Sequence, residues 1–167
     1  MSALPIRRLP DPVLKRPTRP VEQVDARVRR FVHALIQTMR HHPRCVGLAA
    51  PQVGSPLRIA VMDASAHPKA RLSHGLLVLI NPRVTVAEGA VVQREGCLSI
   101  PDLTANVRRG RRICLSALDQ AGCPYELWLE NFEAIVAQHE VDHLDGLLFL
   151  DRVANLGTDV FPRKTYL

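Results

Sequence analysis

No apolar run in this chain is long enough to cross a bilayer. The longest, Leu76 to Ile80 and Leu147 to Leu150, fall far short of the roughly 20 residues a membrane helix needs. The N-terminal stretch has no apolar core of the signal-peptide kind, since Pro5, Pro10, Pro12, Pro17 and Pro20 break it up. A cytoplasmic protein with no membrane partner is the expectation. Aromatic residues are scarce, at 4%, and none is interleaved with the basic ones, which removes the stacking platform of a nucleic-acid binder. No sequence-specific nucleic acid is expected as a partner. No Gly-Lys-Ser or Gly-Lys-Thr follows a glycine turn, so phosphate-cradling loops are not matched. Internal repeats, low-complexity tracts and linkers are missing as well. A length of 167 residues then favours a single domain over 1–167.

What is there fits a globular protein: 47% of residues are apolar and 23% charged. A formal charge of +6 with a pI near 9.7 favours contact with something anionic. Arg108, Arg109, Arg111 and Arg112 crowd one segment, read here as a solvated face in preference to a nucleic-acid patch. The cysteines, Cys45, Cys97, Cys114 and Cys123, come without a secretory signal and are expected to be thiols.

The proline-dotted residues 1–20 predict an extended arm laid over the domain. From Asp25 to about Met39, Val28, Phe31, Val32, Leu35, Ile36 and Met39 recur at helical spacing, which predicts an amphipathic helix. Short β-prone runs follow at Leu57 to Met62, Leu76 to Ile80, Val84 to Val92, Arg112 to Leu118 and Tyr125 to Leu129, the last two reading as a hairpin around Asp119 to Gly122. A second helix is expected from Asn131, as its cap, to Leu144 or Asp145, with Gly146 ending it. Its inward stripe would be Phe132, Ile135, Val136, His139 and His143. The pattern predicts an α+β fold with the sheet wrapped around this second helix.

That helix carries the densest chemistry. Gln138-His139-Glu140-Val141-Asp142-His143 sets two imidazoles four residues apart on one face, with a carboxylate beside the first. Such spacing aims both rings at one metal ion and leaves Glu140 able to exchange protons with water. A lone histidine on an apolar face is more often a core residue bonded to backbone. A carboxylate next to it is costly to bury unless paired or put to work. A metal site needs a third ligand, and beyond His143 only Asp145, Asp151 and Asp159 remain. Upstream, Cys97 in Glu95-Gly96-Cys97-Leu98-Ser99 is the better candidate, with an inert buried thiol as the plain alternative. The run Gly47-Leu48-Ala49-Ala50-Pro51-Gln52-Val53-Gly54 is neither a good strand nor a good helix, and alone it reads as a turn presenting the Gln52 amide.

Together, Gly47 to Gln52, Glu95 to Ser99 and Gln138 to His143, in this order and at these separations, resemble the three signature motifs of peptide deformylases. The likeness runs from Leu9-Pro10-Asp11-Pro12-Val13-Leu14 through Leu150. It implies mixed and antiparallel sheets around a central metal-binding helix. Cys97, His139 and His143 would hold one divalent metal, characteristically ferrous iron, with zinc, nickel or cobalt accepted. Glu140 would take a proton from the water that attacks the formyl carbon of an N-formylmethionyl peptide, then pass it to the departing amine. The Gln52 side chain and the Leu98 N–H would stabilise the oxyanion. Val46 and Gly47 would pair with the peptide backbone, and Ile135 would line the methionine pocket, whereas Phe132 is read as core. Glu95 and Arg109 fall where the family tends to carry an ion-paired Glu and Arg.

Three features depart from the family pattern. Cys45 stands where a glycine is usual, and Thr104 where many members carry an arginine that meets the peptide. The short tail, 151–167, with Pro162, makes a ribosome-docking terminal helix unexpected, so any ribosome contact would be weak or use the arginine cluster. A deformylase-like metal-binding protein with weak or lost turnover is the alternative these departures raise. A protease cutting internal peptide bonds is disfavoured by the upstream cysteine.

Overall fold

Helix α1, Ala26–His41, starts where the Asp25 carboxylate accepts the Val28 N–H and buries Val32, Leu35, Ile36 and Met39. These side chains pack on one face of a five-stranded antiparallel sheet in the order β1-β2-β3-β6-β7. The strands are β1 (Gly47–Ala49), β2 (Ile59–Asp63), β3 (Leu76–Glu88), β6 (Arg112–Leu118) and β7 (Pro124–Glu130). Period-two alternation in β2 serves both faces: Ile59 and Val61 meet α1, while Ala60 and Met62 point to the other side. There lies α2, Asn131–Leu144, whose Ala134, Val136, Ala137, Val141 and Leu144 pack on Met62, Leu79, Ile113, Leu115 and Leu129. A three-stranded sheet, β4 (Val91–Cys97), β5 (Ile100–Arg109) and β8 (Val160–Pro162), forms the opposite wall around a smaller core of Leu14, Ile100, Val107 and Phe149. The computed structural model describes residues 3–164.

Helix α2 is therefore sandwiched, and its burial is not the single stripe expected. Glu133, Glu140, Asp142 and His143 are buried along with its apolar residues, because the five-stranded sheet covers one side, while His74 covers Glu133 and Arg109 and Cys97 of the three-stranded sheet cover Asp142 and His143. Asn131 is not the cap either. Glu130 holds that position with no side-chain bond. Asn131 itself takes φ +53°, while its N–H donates to Arg111 O at 2.7 Å, turning β7 directly into the helix. Gly146 ends α2 as expected, at φ +75°, in a place where a Cβ would lie 2.9 Å from the Lys15 carbonyl oxygen.

Other expectations shift in register. The runs Leu76 to Ile80 and Val84 to Val92 belong mostly to one strand, β3. It passes through Asn81 at φ +53° with a register shift, and the chain turns only at Gly89, at φ +64°. Asn81 is held there because its amide exchanges two hydrogen bonds with the Val21 backbone, both 2.8 Å. The presumed turn from Gly47 is strand β1 followed by a 3-10 turn, Ala50–Val53. The β6–β7 hairpin forms as read, with Asp119 Oδ1 accepting the N–H groups of Ala121 and Cys123. The arm contains one 3-10 turn, Pro12–Lys15, capped by Asp11 and pinned by fully buried Leu14.

Candidate active site

Three elements converge on one point. Strand β4 ends at Cys97 and turns tightly through Leu98 and Ser99 into β5, so the thiol is aimed across at α2. One donor atom each from Cys97, His139 and His143 lies within 4.8 Å of the others. Cys97 Sγ is 3.3 Å from His143 Nε2, and all three residues are largely buried. Burial opposes ionisation of the Cys97 thiol, but the two imidazoles outweigh it and draw its pKa well below the usual thiol range. The trio thus favours the thiolate, the form of cysteine that binds metals.

The surroundings fit a metal ion. His139 Nδ1 lies 2.8 Å from Glu95 Oε2, which fixes the ring and turns its other nitrogen toward Cys97. Glu95 is clamped by Arg109 through two bonds, 2.7 and 2.9 Å. Arg109 also reaches Asp142 on α2, and Asp142 accepts from Arg152 at 2.8 Å. Burial pushes the Glu95 carboxyl up, yet Arg109 and His139 hold it at about 2. Arg109 is therefore set apart from the solvated arginine face and forms the ion pair with Glu95 that the resemblance implied, at the centre of a buried chain leading to a ligand. Beside the trio, the buried Glu140 Oε2 has no partner among the described residues, as expected where a ligand belongs.

Glu140 stands on the far side of the trio. Burial raises its carboxyl to about 7. It fits only because residue 47 has no side chain: a Cβ on Gly47 would stand 2.4 Å from Glu140 Oε1. The Gln52 amide is locked, with Oε1 accepting the Ala49 N–H at 2.9 Å and Nε2 facing Ser99 Oγ at 3.2 Å and Cys97 Sγ at 3.3 Å. The N-terminal arm fastens both loops, Arg7 N–H donating to Gln52 O at 2.7 Å and Leu9 N–H to Ser99 O at 3.0 Å.

These groups open onto a cleft of about 840 Å³ lined by the residues singled out from the sequence, apart from His143 and Arg109. Val46, Gly47, Gln52, Cys97, Leu98, Ile135, His139 and Glu140 all line it. Phe132, read as core, also forms part of the wall, where His67 stacks on it with ring centres 4.2 Å apart. Cys45 turns its thiol to the Gly47 carbonyl at 3.1 Å, and burial followed by the Glu140 charge pushes it up to about 12. All four cysteines are free. Sequence reasoning missed Asp142 and Gln138, which sat inside the quoted motif. The Gln138 amide clasps the Gly110 N–H and C=O, both at 2.9 Å, and so docks α2 on the β5–β6 turn. It also missed the β8 side of the cleft, where only a proline and a short basic tail were visible.

The polypeptide deformylase family model matches residues 3–159. The peptide deformylase of Alkalilimnicola ehrlichii is 44% identical over 98% of this chain and 89% of its own. Among solved structures, the peptide deformylase of Thermotoga maritima aligns with a TM-score of 0.84 at 36% identity, covering 93% of this chain and all of that one. A class I type b peptide deformylase from Acinetobacter baumannii, bound to Met-Ala-Ser, aligns with a TM-score of 0.84 at 30% identity, covering 91% of this chain and 99% of that one. The chain belongs to the polypeptide deformylase family, hydrolases that remove the formyl group from the N-terminus of newly made polypeptides.

Proposed function

We propose that Cys97, His139 and His143 hold one divalent metal, ferrous iron by first choice with zinc, nickel or cobalt as substitutes, and that Glu140, Gln52 and Leu98 act on the formyl amide. One thiolate with two imidazoles suits late first-row metals. Such a cation supplies Lewis acidity, bringing the pKa of water toward neutrality. The chain's own residues do the rest. Glu140, buried beside the trio, accepts a proton from the water that attacks the formyl carbon. The negative charge that develops on the formyl oxygen meets Gln52 Nε2–H, already aimed at Cys97, and the N–H of Leu98. Glu140 then returns its proton to the amine as the C–N bond breaks, giving formate and a free α-amino group.

Strand β1 is the edge of its sheet, bonded to β2 on one side only. Its neighbour Val46 and Gly47 itself offer backbone groups to an extended peptide, a form of strand addition. Ile135 and Phe132 face the cleft where a methionine side chain needs apolar contact. N-formylmethionyl peptides in the cytoplasm are the natural substrates. The free thiols accord with that compartment, and no described helix is long and apolar enough to cross a membrane. Ribosome contact, if made through basic residues, falls to exposed Arg108 and Arg111, because Arg109 is buried and Arg112 is engaged by Glu88, Glu130 and Trp128.

The observation that carries this reading is the convergence of the three ligands with a buried carboxylate beside them. The test is Glu140→Gln in protein purified without oxygen. Elemental analysis should still find one metal per chain, while formate release from formyl-Met-Ala-Ser drops by about 10²–10⁴. Turnover retained in that variant refutes the role given to Glu140.

A further inference from the structure

The charge around the cleft is one-sided. Arg44, Lys69, Arg94, Arg163 and Lys164 line it, against only two carboxylates, Glu95 and Glu140. Both carboxylates are buried, the first tied to Arg109 and His139 and the second at the reacting centre. Among the described residues, the mouth therefore carries no acid to balance its cations.

Arg163 is the best placed of these. Strand β8 pairs with β5, Phe161 opposite Thr104, and the Arg163 N–H donates to Asp102 O at 2.8 Å. Thr104 in turn pairs with Gly96, the residue before Cys97. This register lays the Arg163 guanidinium across Gly96: a Cβ built there would stand 2.1 Å from Arg163 Nη2. Arg94 sits at the same rim, its guanidinium 3.5 Å from the centre of the Phe161 ring. Arg163 is exposed, lines the cleft and forms no ion pair among the described residues.

We infer that Arg163, with Arg94 beside it, is a specificity-determining residue that receives an anionic side chain shortly after the methionine of the formyl peptide. The inference rests on the deformylase reading. A peptide seated along β1 and past Cys97 would reach the rim of the cleft where that guanidinium and Arg94 lie. A glutamate or aspartate there gains a partner, while a lysine meets like charge from several sides.

The test compares two amidated peptides, formyl-Met-Ala-Glu-Glu-NH2 and formyl-Met-Ala-Gln-Gln-NH2, in which amidation removes the terminal carboxylate. At low salt the metal-loaded protein should favour the acidic peptide by about 3- to 10-fold in kcat/KM, with the difference in KM and shrinking as salt is raised. Arg163→Gln should bring the ratio close to one and Arg163→Glu should invert it, whereas Arg30→Gln, on exposed α1, should preserve it. Calorimetric affinities of the deformylated products should follow the same order. A ratio near one in the unaltered protein, or one that neither Arg163 variant moves, overturns the inference while leaving the deformylase reading in place. No formate from either peptide overturns both.

Discussion

A single methyl group at position 47 would meet the Glu140 carboxylate. The Gly47 Cβ would lie 2.4 Å from Glu140 Oε1, closer than real contacts permit, and the obstructing atom belongs to a carboxylate held within the core. Gly47→Ala should therefore displace Glu140 while the distant core stays intact. Formate release is expected to fall by about 10²-fold or more, the scale of a misplaced catalytic group, with an unchanged circular dichroism spectrum. Full activity in this variant would show that Glu140 has room the structure does not display. Cys45, two residues earlier, illustrates the opposite case. Its side chain departs from the family pattern, yet it folds back onto the Gly47 carbonyl and leaves the carboxylate's place untouched.

Among the elements, β4 and β5 carry the main lesson about reading the sequence. The ligand helix was legible because His139 and His143 repeat at helical spacing within apolar residues. The two strands were not, although β4 alternates toward its end and β5 over its second half: Glu95 and Cys97 point inward from β4, and Ala105, Val107 and Arg109 from β5. The inward positions are partly taken by Glu95 and Arg109, so the buried face looks polar and the period-two signal disappears. Pro101 and Asn106 weaken it further. The same pair now predicts stability. Glu95→Gln should cost about 3–5 kcal/mol in urea unfolding, the usual result of breaking one side of a buried ion pair. The pH dependence has a definite sign. Glu95 titrates at about 2 in the folded chain against an ordinary 4.5, so its stabilisation is complete above pH 4.5 and is lost as pH falls toward 2. Glu95→Gln should abolish that portion of the acid-induced loss, measured as unfolding free energy against pH.

At the scale of the whole molecule, the ligands join walls that are otherwise separate. Cys97 belongs to the three-stranded sheet and the histidines to the helix resting on the five-stranded one. Metal binding to such a set stabilises the folded state by mass action, by about 2.7 kcal/mol when the free metal is a hundredfold above its dissociation constant. Removing the metal with a chelator should lower the thermal midpoint, and nickel or zinc should restore it. An unchanged midpoint would show that the trio does not hold the ion in solution. The N-terminal arm, bonded to both the Gln52 loop and the Ser99 turn, ties the same two walls from outside.

The central place of α2 has a consequence for how the protein comes into being. Seven of the eight strands among the described residues precede residues 131–144 in the chain, so on a translating ribosome they emerge before the helix that fills the space between them. Until α2 arrives, Met62, Leu79, Ile113, Leu115 and Leu129 have nothing to pack against. The histidine ligands come with that helix. The site is complete only once that helix is in place, and a molecule that trims newborn polypeptides passes through most of its own birth without the means to do so.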